Sequence, residues 1–221
     1  MAKEELEAYK TVIDVKGYLQ KRLIELEWQA YKRNKSKRLK NRNFTVIASN
    51  CSGMFMYYDL GLPYLTPTVN LSIEMNDFVK MAGNLKWYME QEMTEAHDQK
   101  YQSPVGILGD IKIHFIHYDS FEEGVLKWEE RKRRINWNNL FIIGSEKDGC
   151  TYETIKEFEK LPFKNKVIFT HVEYPEFPSA FYIKGFEDKD ELGTITNFKD
   201  QRLKRRYLDD FDYVRFINSI Q

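Results

Sequence analysis

The sequence predicts an α/β protein: a three-layer domain with a mostly parallel sheet built from βαβ units, preceded by a long N-terminal helix. Short β-rich apolar runs alternate with longer segments of helical period, the order that parallel sheets require. The stretch from Asp110 to Thr151 reads as strand, capped helix, strand, with Ser120 as N-cap and Glu123 three residues on as its reciprocal partner. That pattern predicts a right-handed crossover between two parallel strands. Polar residues gather where each strand stops, and open α/β sheets bind ligands in the crevice beyond those strand ends.

Taken in chain order, Lys3 to Tyr31 holds no Pro and a single Gly, and Tyr9, Val12, Ile13, Leu19, Leu23, Leu26 and Ala30 recur at helical steps. A long amphipathic helix is expected there. It runs into KRNKSKRLKNR, Lys32 to Arg42, with seven cations and no acid. The expected organisation is therefore 1–42, amphipathic helix and basic linker, and 43–221, the α/β domain. Within the latter come the strand FTVIA from Phe44, the turn SNCSG, a short helix around FMYYDLG, and an extended TPTVNLSI. A helix opened by Asn76, running DFVKMAGNLKWYMEQEM, leads to the Asp110–Thr151 unit. A helix from about Thr151 to Lys160, the strand KVIFT, an edge strand AFYIKGF, a polar loop and a final helix from about Lys199 to Ile220 complete the chain.

With 34 basic and 34 acidic residues among 221, the formal charge is zero, so no global field attracts nucleic acid, and none is expected as partner. Aromatic residues at 15% supply the large apolar groups a packed core needs. Cys51 and Cys150 lack metal spacing and form no disulfide framework, which points to a reducing, cytoplasmic compartment. No segment has the order of a signal peptide or the length of a spanning helix.

Candidate chemistry lies at the strand ends. Ser49, Asn50, Cys51, Ser52 and Gly53 form the exit from the first strand into a helix, where backbone amides attract an anionic group, and Lys147, Asp148 and Cys150 follow a later strand. His117 beside Asp119 is the arrangement of a general base oriented by a carboxylate. Strict alternation along IKIHFIHY puts His114 and His117 on opposite faces, which removes a two-His metal site, and no metal is expected. Asp148, in the turn EKDGCT with Cys150, is the carboxylate for a sugar hydroxyl or ion. Arg134, at the end of the basic run Arg131–Arg134, is a phosphate clamp, and His171, in an aromatic loop, is a ligand contact. Each also has an ordinary use in turns, caps and solvated faces. The pairs Asp188/Asp190 and Asp210/Asp212 have metal-bridging spacing without the strand context that usually accompanies it.

Four runs, SNCSGMFMYYDLGLPYLTPTVNL, NDFVKMAGNLKWYM, SPVGILGDIKIHFIHYDSFEEGVLKWEERKRRINWNNLFII and DGCTYETIKEFEKLPFKNKVIFTH, carry a resemblance. From about Asn43 to Gly185 the chain resembles bacterial proteins catalogued as domain of unknown function 1919, commonly labelled exopolysaccharide or capsule biosynthesis. In that pattern the first loop reads N-N-C-W-G-G; here Cys51 and Gly53 correspond, while Ser52 and Met54 replace the Trp and second Gly. The resemblance implies a pathway, surface polysaccharide assembly, and names no cofactor. The expected activity is a glycosyltransferase-like reaction on a sugar nucleotide or lipid-linked sugar. Two alternatives accompany it: an acyl or other group transferase that decorates the polymer, and a non-catalytic assembly or regulatory module. In the latter the helix and basic run dock on a partner or on the inner face of the membrane.

Overall fold

The computed structural model describes residues 2–97 and 102–219, with side chains from residue 17 onward. A four-stranded parallel sheet in the order β1-β5-β6-β7 forms its centre, from β1 (Thr45–Ala48), β5 (Leu140–Ser145), β6 (Lys166–Thr170) and β7 (Ala180–Tyr182). These strands read as continuous apolar runs because both faces are covered. Ile47, Ile142 and Ile168 point to one face, packing with α3 (Met75–Gly83), α5 (Phe121–Lys132) and α6 (Tyr152–Glu159). Val46, Ala48, Phe141, Ile143, Val167 and Phe169 point to the other, against α2 (Ser52–Leu60) and α7 (Tyr213–Ile217). The three layers thus follow from period-two alternation within each strand.

The crossover that the sequence predicts between IKIH and LFIIG is not present. β4 (Ile111–His114) pairs antiparallel with β3 (Val105–Leu108), which pairs antiparallel with β2 (Met93–Ala96), and β5 instead pairs with β1 and β6. The sequence-adjacent strands therefore belong to two sheets, and the βαβ unit that does form is β5-α6-β6. α5 itself forms as expected: Ser120 Oγ accepts from the Glu123 amide at 3.2 Å, and Glu123 Oε2 accepts from the Asp119 amide. The helix opened near Asn76 breaks at Asn84 into α3 and α4 (Leu85–Glu90). The expected final helix is replaced by β8 (Phe198–Asp200), β9 (Arg205–Arg206), a 3₁₀ turn at Tyr207–Asp210 and the short α7. Asp212 caps α7 by accepting from the Arg215 amide at 3.1 Å, and Lys199 binds Asp210, so the second D-x-D pair serves this turn. Ile220 lies outside the described residues.

The long N-terminal helix is α1, Ala2–Arg38. The side chains of Tyr9, Val12 and Ile13 lie outside the description. The basic run at its end is partly consumed by internal contacts: Lys35 is buried against Asp209, Arg38 pairs with Asp212, and Lys32 sits over the rings of Trp28 and Tyr58. Among the described residues, no helix is long and apolar enough to cross a membrane.

Candidate functional site

The cavity that stands out lies beyond the C-terminal ends of β1 and β5. It holds about 400 Å³ and is lined by Asn50, Cys51, Ser52 and Phe55 after β1, and by Ser145, Lys147 and Asp148 at the end of β5. Ser72, Glu74, His114, Ile116 and His117 close a second side, and Gly193 to Thr196 of the polar loop a third. This is the crevice in which open parallel sheets place ligands.

The histidines reach it through a stitch between the two sheets. Ser72 exchanges backbone hydrogen bonds with His114, at 2.8 and 2.9 Å, and the next residue, Ile73, donates to the carbonyl of Ser49 at the end of β1. One extended segment thereby joins β4 to β1. Because β4 ends at His114, strict alternation does not continue to residue 117, and both histidines line the same cavity. Their separation onto opposite faces, expected from the sequence, is corrected by that early strand end. His114 is 2% exposed, whereas His117 is exposed at the rim.

The N-terminus of α2 opens into this cavity. Its N-cap, Cys51, makes no side-chain capping bond. Asn50 instead folds back, with Oδ1 accepting from the Ser52 amide at 3.0 Å and Nδ2 donating to Ser145 Oγ at 3.0 Å. Ser52 is 1% exposed and is one of the residues around the cavity; its hydroxyl oxygen is shut off from solvent and has no hydrogen-bond partner among the described residues. A buried, unsatisfied hydroxyl costs free energy unless something fills its place. Next to it, the helix start carries partial positive charge, and Lys147 adds a cation to the lining. Asp148 has a left-handed backbone (φ 54°), with Gly149 following at φ 79°, and its carboxylate accepts from Ser72 Oγ at 3.3 Å. Burial pushes the Cys51 thiol up, and its Sγ lies 3.9 Å from the Leu71 carbonyl, so it is a poor nucleophile at neutral pH.

Of the residues singled out in the sequence, Asn50, Cys51, Ser52, His117, Lys147 and Asp148 come together here. The others do not. Ser49 is buried in the backbone stitch. Gly53 serves packing: a Cβ there would stand 2.9 Å from Ala48 Cβ and Val46 Cγ1, so the glycine lets α2 lie directly on β1. Gly53→Ala is expected to lose about 1–3 kcal/mol of folding stability, read from chemical denaturation. Asp119 lines a different cavity with Glu95 and Glu122, and no hydrogen bond joins it to His117 among the described residues. The His117–Asp119 pairing is therefore not formed. Arg134 lies on the exposed end of α5, bound to Glu130 and to the Tyr64 carbonyl. His171 and Cys150 gather around Glu146, one residue beyond Ser145. Glu146 is 5% exposed and accepts from the His171 amide at 2.8 Å and from Tyr174 at 2.6 Å, with His171 Nδ1 also at 2.6 Å. Burial, with the charges of Glu146 and Glu191, pushes the Cys150 thiol up to about 12.

Sequence reasoning missed Ser72, Glu74, Ser145, Thr194 and Thr196, and set His114 aside as structural. Ser145 was findable, since it ends the strand that leads to Lys147 and Asp148. Ser72 and Glu74 had no signal, because only the stitch between sheets brings them in.

Residues 19–218 match the family described as Domain of unknown function (DUF1919). The chain belongs to that family. An uncharacterised protein of Haemophilus influenzae is 44% identical over 186 residues, a span of 84% of this chain and 89% of that relative.

Proposed function

We propose that this DUF1919 protein is a transferase of surface-polysaccharide assembly that seats the phosphate of a nucleotide-linked or lipid-linked sugar at the N-terminus of α2. The observation that carries this reading is the start of α2 in the cavity wall, where the N-cap Cys51 makes no side-chain capping bond and Lys147 adds a cation. Helix amides and a cation are groups that hold a phosphate. The walls supplied by Phe55, Ile116 and Ile195 suit the apolar face of a sugar or base. The resemblance to proteins labelled exopolysaccharide or capsule biosynthesis supports the choice of pathway.

In the transfer step an acceptor hydroxyl attacks the anomeric carbon, and the bond from that carbon to the phosphate oxygen breaks. The phosphate leaves with the electron pair and is stabilised by the α2 dipole and Lys147. His117, at the rim of the cavity, takes the acceptor proton. Asp148, oriented by Ser72, holds a sugar hydroxyl.

Calorimetric titration of the full chain with UDP-glucose, GDP-mannose and inorganic diphosphate tests the reading. Saturable binding is expected. Lys147→Ala should weaken it about tenfold or more, with melting temperature unchanged. No saturable binding to any of the three would contradict it.

A further inference from the structure

Four of the eleven exposed large apolar side chains among the described residues lie within one short stretch of α1: Tyr18 at 67%, Leu19 at 53%, Leu23 at 60% and Leu26 at 50%. Leu19, Leu23 and Leu26, with exposed Ala30, are spaced four, three and four residues apart. That is the spacing of the a and d positions of a heptad, with Leu23 and Ala30 at a and Leu19 and Leu26 at d. In the sequence the same register continues upstream through Lys16, Val12 and Tyr9.

The domain contacts of α1 come from the other side of the helix. Glu25 binds Lys204, Trp28 meets Phe198 edge-on at 5.8 Å, Arg205 lies over the Tyr31 ring at 3.4 Å, and Lys35 binds Asp209. Residues 25, 28, 31 and 35 occupy the b, c and f positions, the outer face of a coiled coil. The helix thus docks on its own domain by its back and leaves its seam to solvent. A ridge of three exposed leucines is costly to keep wet.

We propose that this ridge is the seam of a parallel, in-register two-stranded coiled coil formed with a second copy of this chain. Charge pairing selects the occupant and its direction. Arg22 is at g and Glu27 at the following e, and both are exposed without an ion pair among the described residues. In a parallel, in-register pair, Arg22 of each copy meets Glu27 of the other, twice by symmetry. An antiparallel pair would set g against g and e against e, which brings no opposite charges together in this stretch.

Sedimentation equilibrium on the full chain tests the proposal. The expected mass is twice the 26.5 kDa of one chain. Leu23→Glu should raise the dimer dissociation constant more than about tenfold without changing the thermal melting of the domain. The charge reversals R22E and E27R should each weaken the dimer, and the double variant R22E/E27R should restore it. A wild-type monomer at tens of micromolar would overturn the proposal, as would a dimer indifferent to L23E or a double reversal no tighter than the singles. So would a monomer that instead sediments with anionic vesicles.

Discussion

Arg206→Ala is expected to cost about 3–5 kcal/mol of folding stability. Arg206 is 5% exposed and Asp59 2%; Nη1 of the arginine donates to both carboxylate oxygens, at 3.0 and 2.7 Å. The guanidinium sits among the rings of Trp28, Phe55 and Phe198, at 4.9, 4.6 and 4.9 Å. Around this pair, Lys35 binds Asp209 and Tyr213, and Tyr213 reaches Asp59 at 3.4 Å. Removing the arginine leaves Asp59 charged in a place where burial already pushes its carboxyl above the usual range. The same desolvation penalty implies that the ion pair itself adds little net stability. Asp59→Leu combined with Arg206→Met should therefore recover most of the loss, and guanidinium denaturation of the single and double variants distinguishes a lost pair from a lost volume. Because Phe55 stacks on Arg206 and also lines the cavity, the single variant should loosen the site as well as the fold.

His117→Ala is expected to slow sugar transfer about 10²–10⁴-fold, the range for loss of a positioned general base, while nucleotide-sugar affinity stays near wild type. Asp119→Ala should leave the rate near wild type, since Asp119 faces another cavity. Transfer of labelled sugar from a nucleotide donor to a lipid acceptor measures both. A slow Asp119 variant beside a normal His117 variant would reverse the assignment. These roles follow from the way His117 is delivered: its amide donates to Asn70, itself in a left-handed turn at φ 60°, so the rim position is set by the stitch between sheets.

Most of the central sheet was legible in the sequence because its strands are buried on both faces. FTVIA, LFIIG and KVIFT could be nothing other than interior strands, and the caps at Ser120 and Thr151 marked helix starts. IKIH was equally apolar, but a run of that kind does not state its partner. Its pairing with VGIL closes through the tight turn at Gly109, at φ 63°, and that hairpin took it out of the parallel sheet. The final segment misled for a related reason: Leu208, Tyr213, Val214 and Ile217 carry helical spacing, yet the β8–β9 ladder and the Asp59–Arg206 pair hold its first half extended.

The candidate site divides the same way. Asn50, Cys51 and Asp148 were visible as polar residues at parallel strand ends, which topology alone sends to one crevice. Ser52 was visible as part of the turn into the helix, and a Ser after an N-cap has ordinary uses. What the sequence did not show is that its hydroxyl is buried without a partner among the described residues. His114 was hidden by alternation carried past the true end of β4. Gly53 looked like part of a phosphate loop and proved to be the contact that seats α2 on β1.

A crystal structure of the full chain with a bound nucleotide sugar tests the central claim most directly. The predicted result is a diphosphate over the first turn of α2, with phosphate oxygens in hydrogen-bond reach of its backbone amides and Lys147 Nζ and the sugar between His117 and Asp148. A diphosphate bound elsewhere, away from the start of α2, would contradict it.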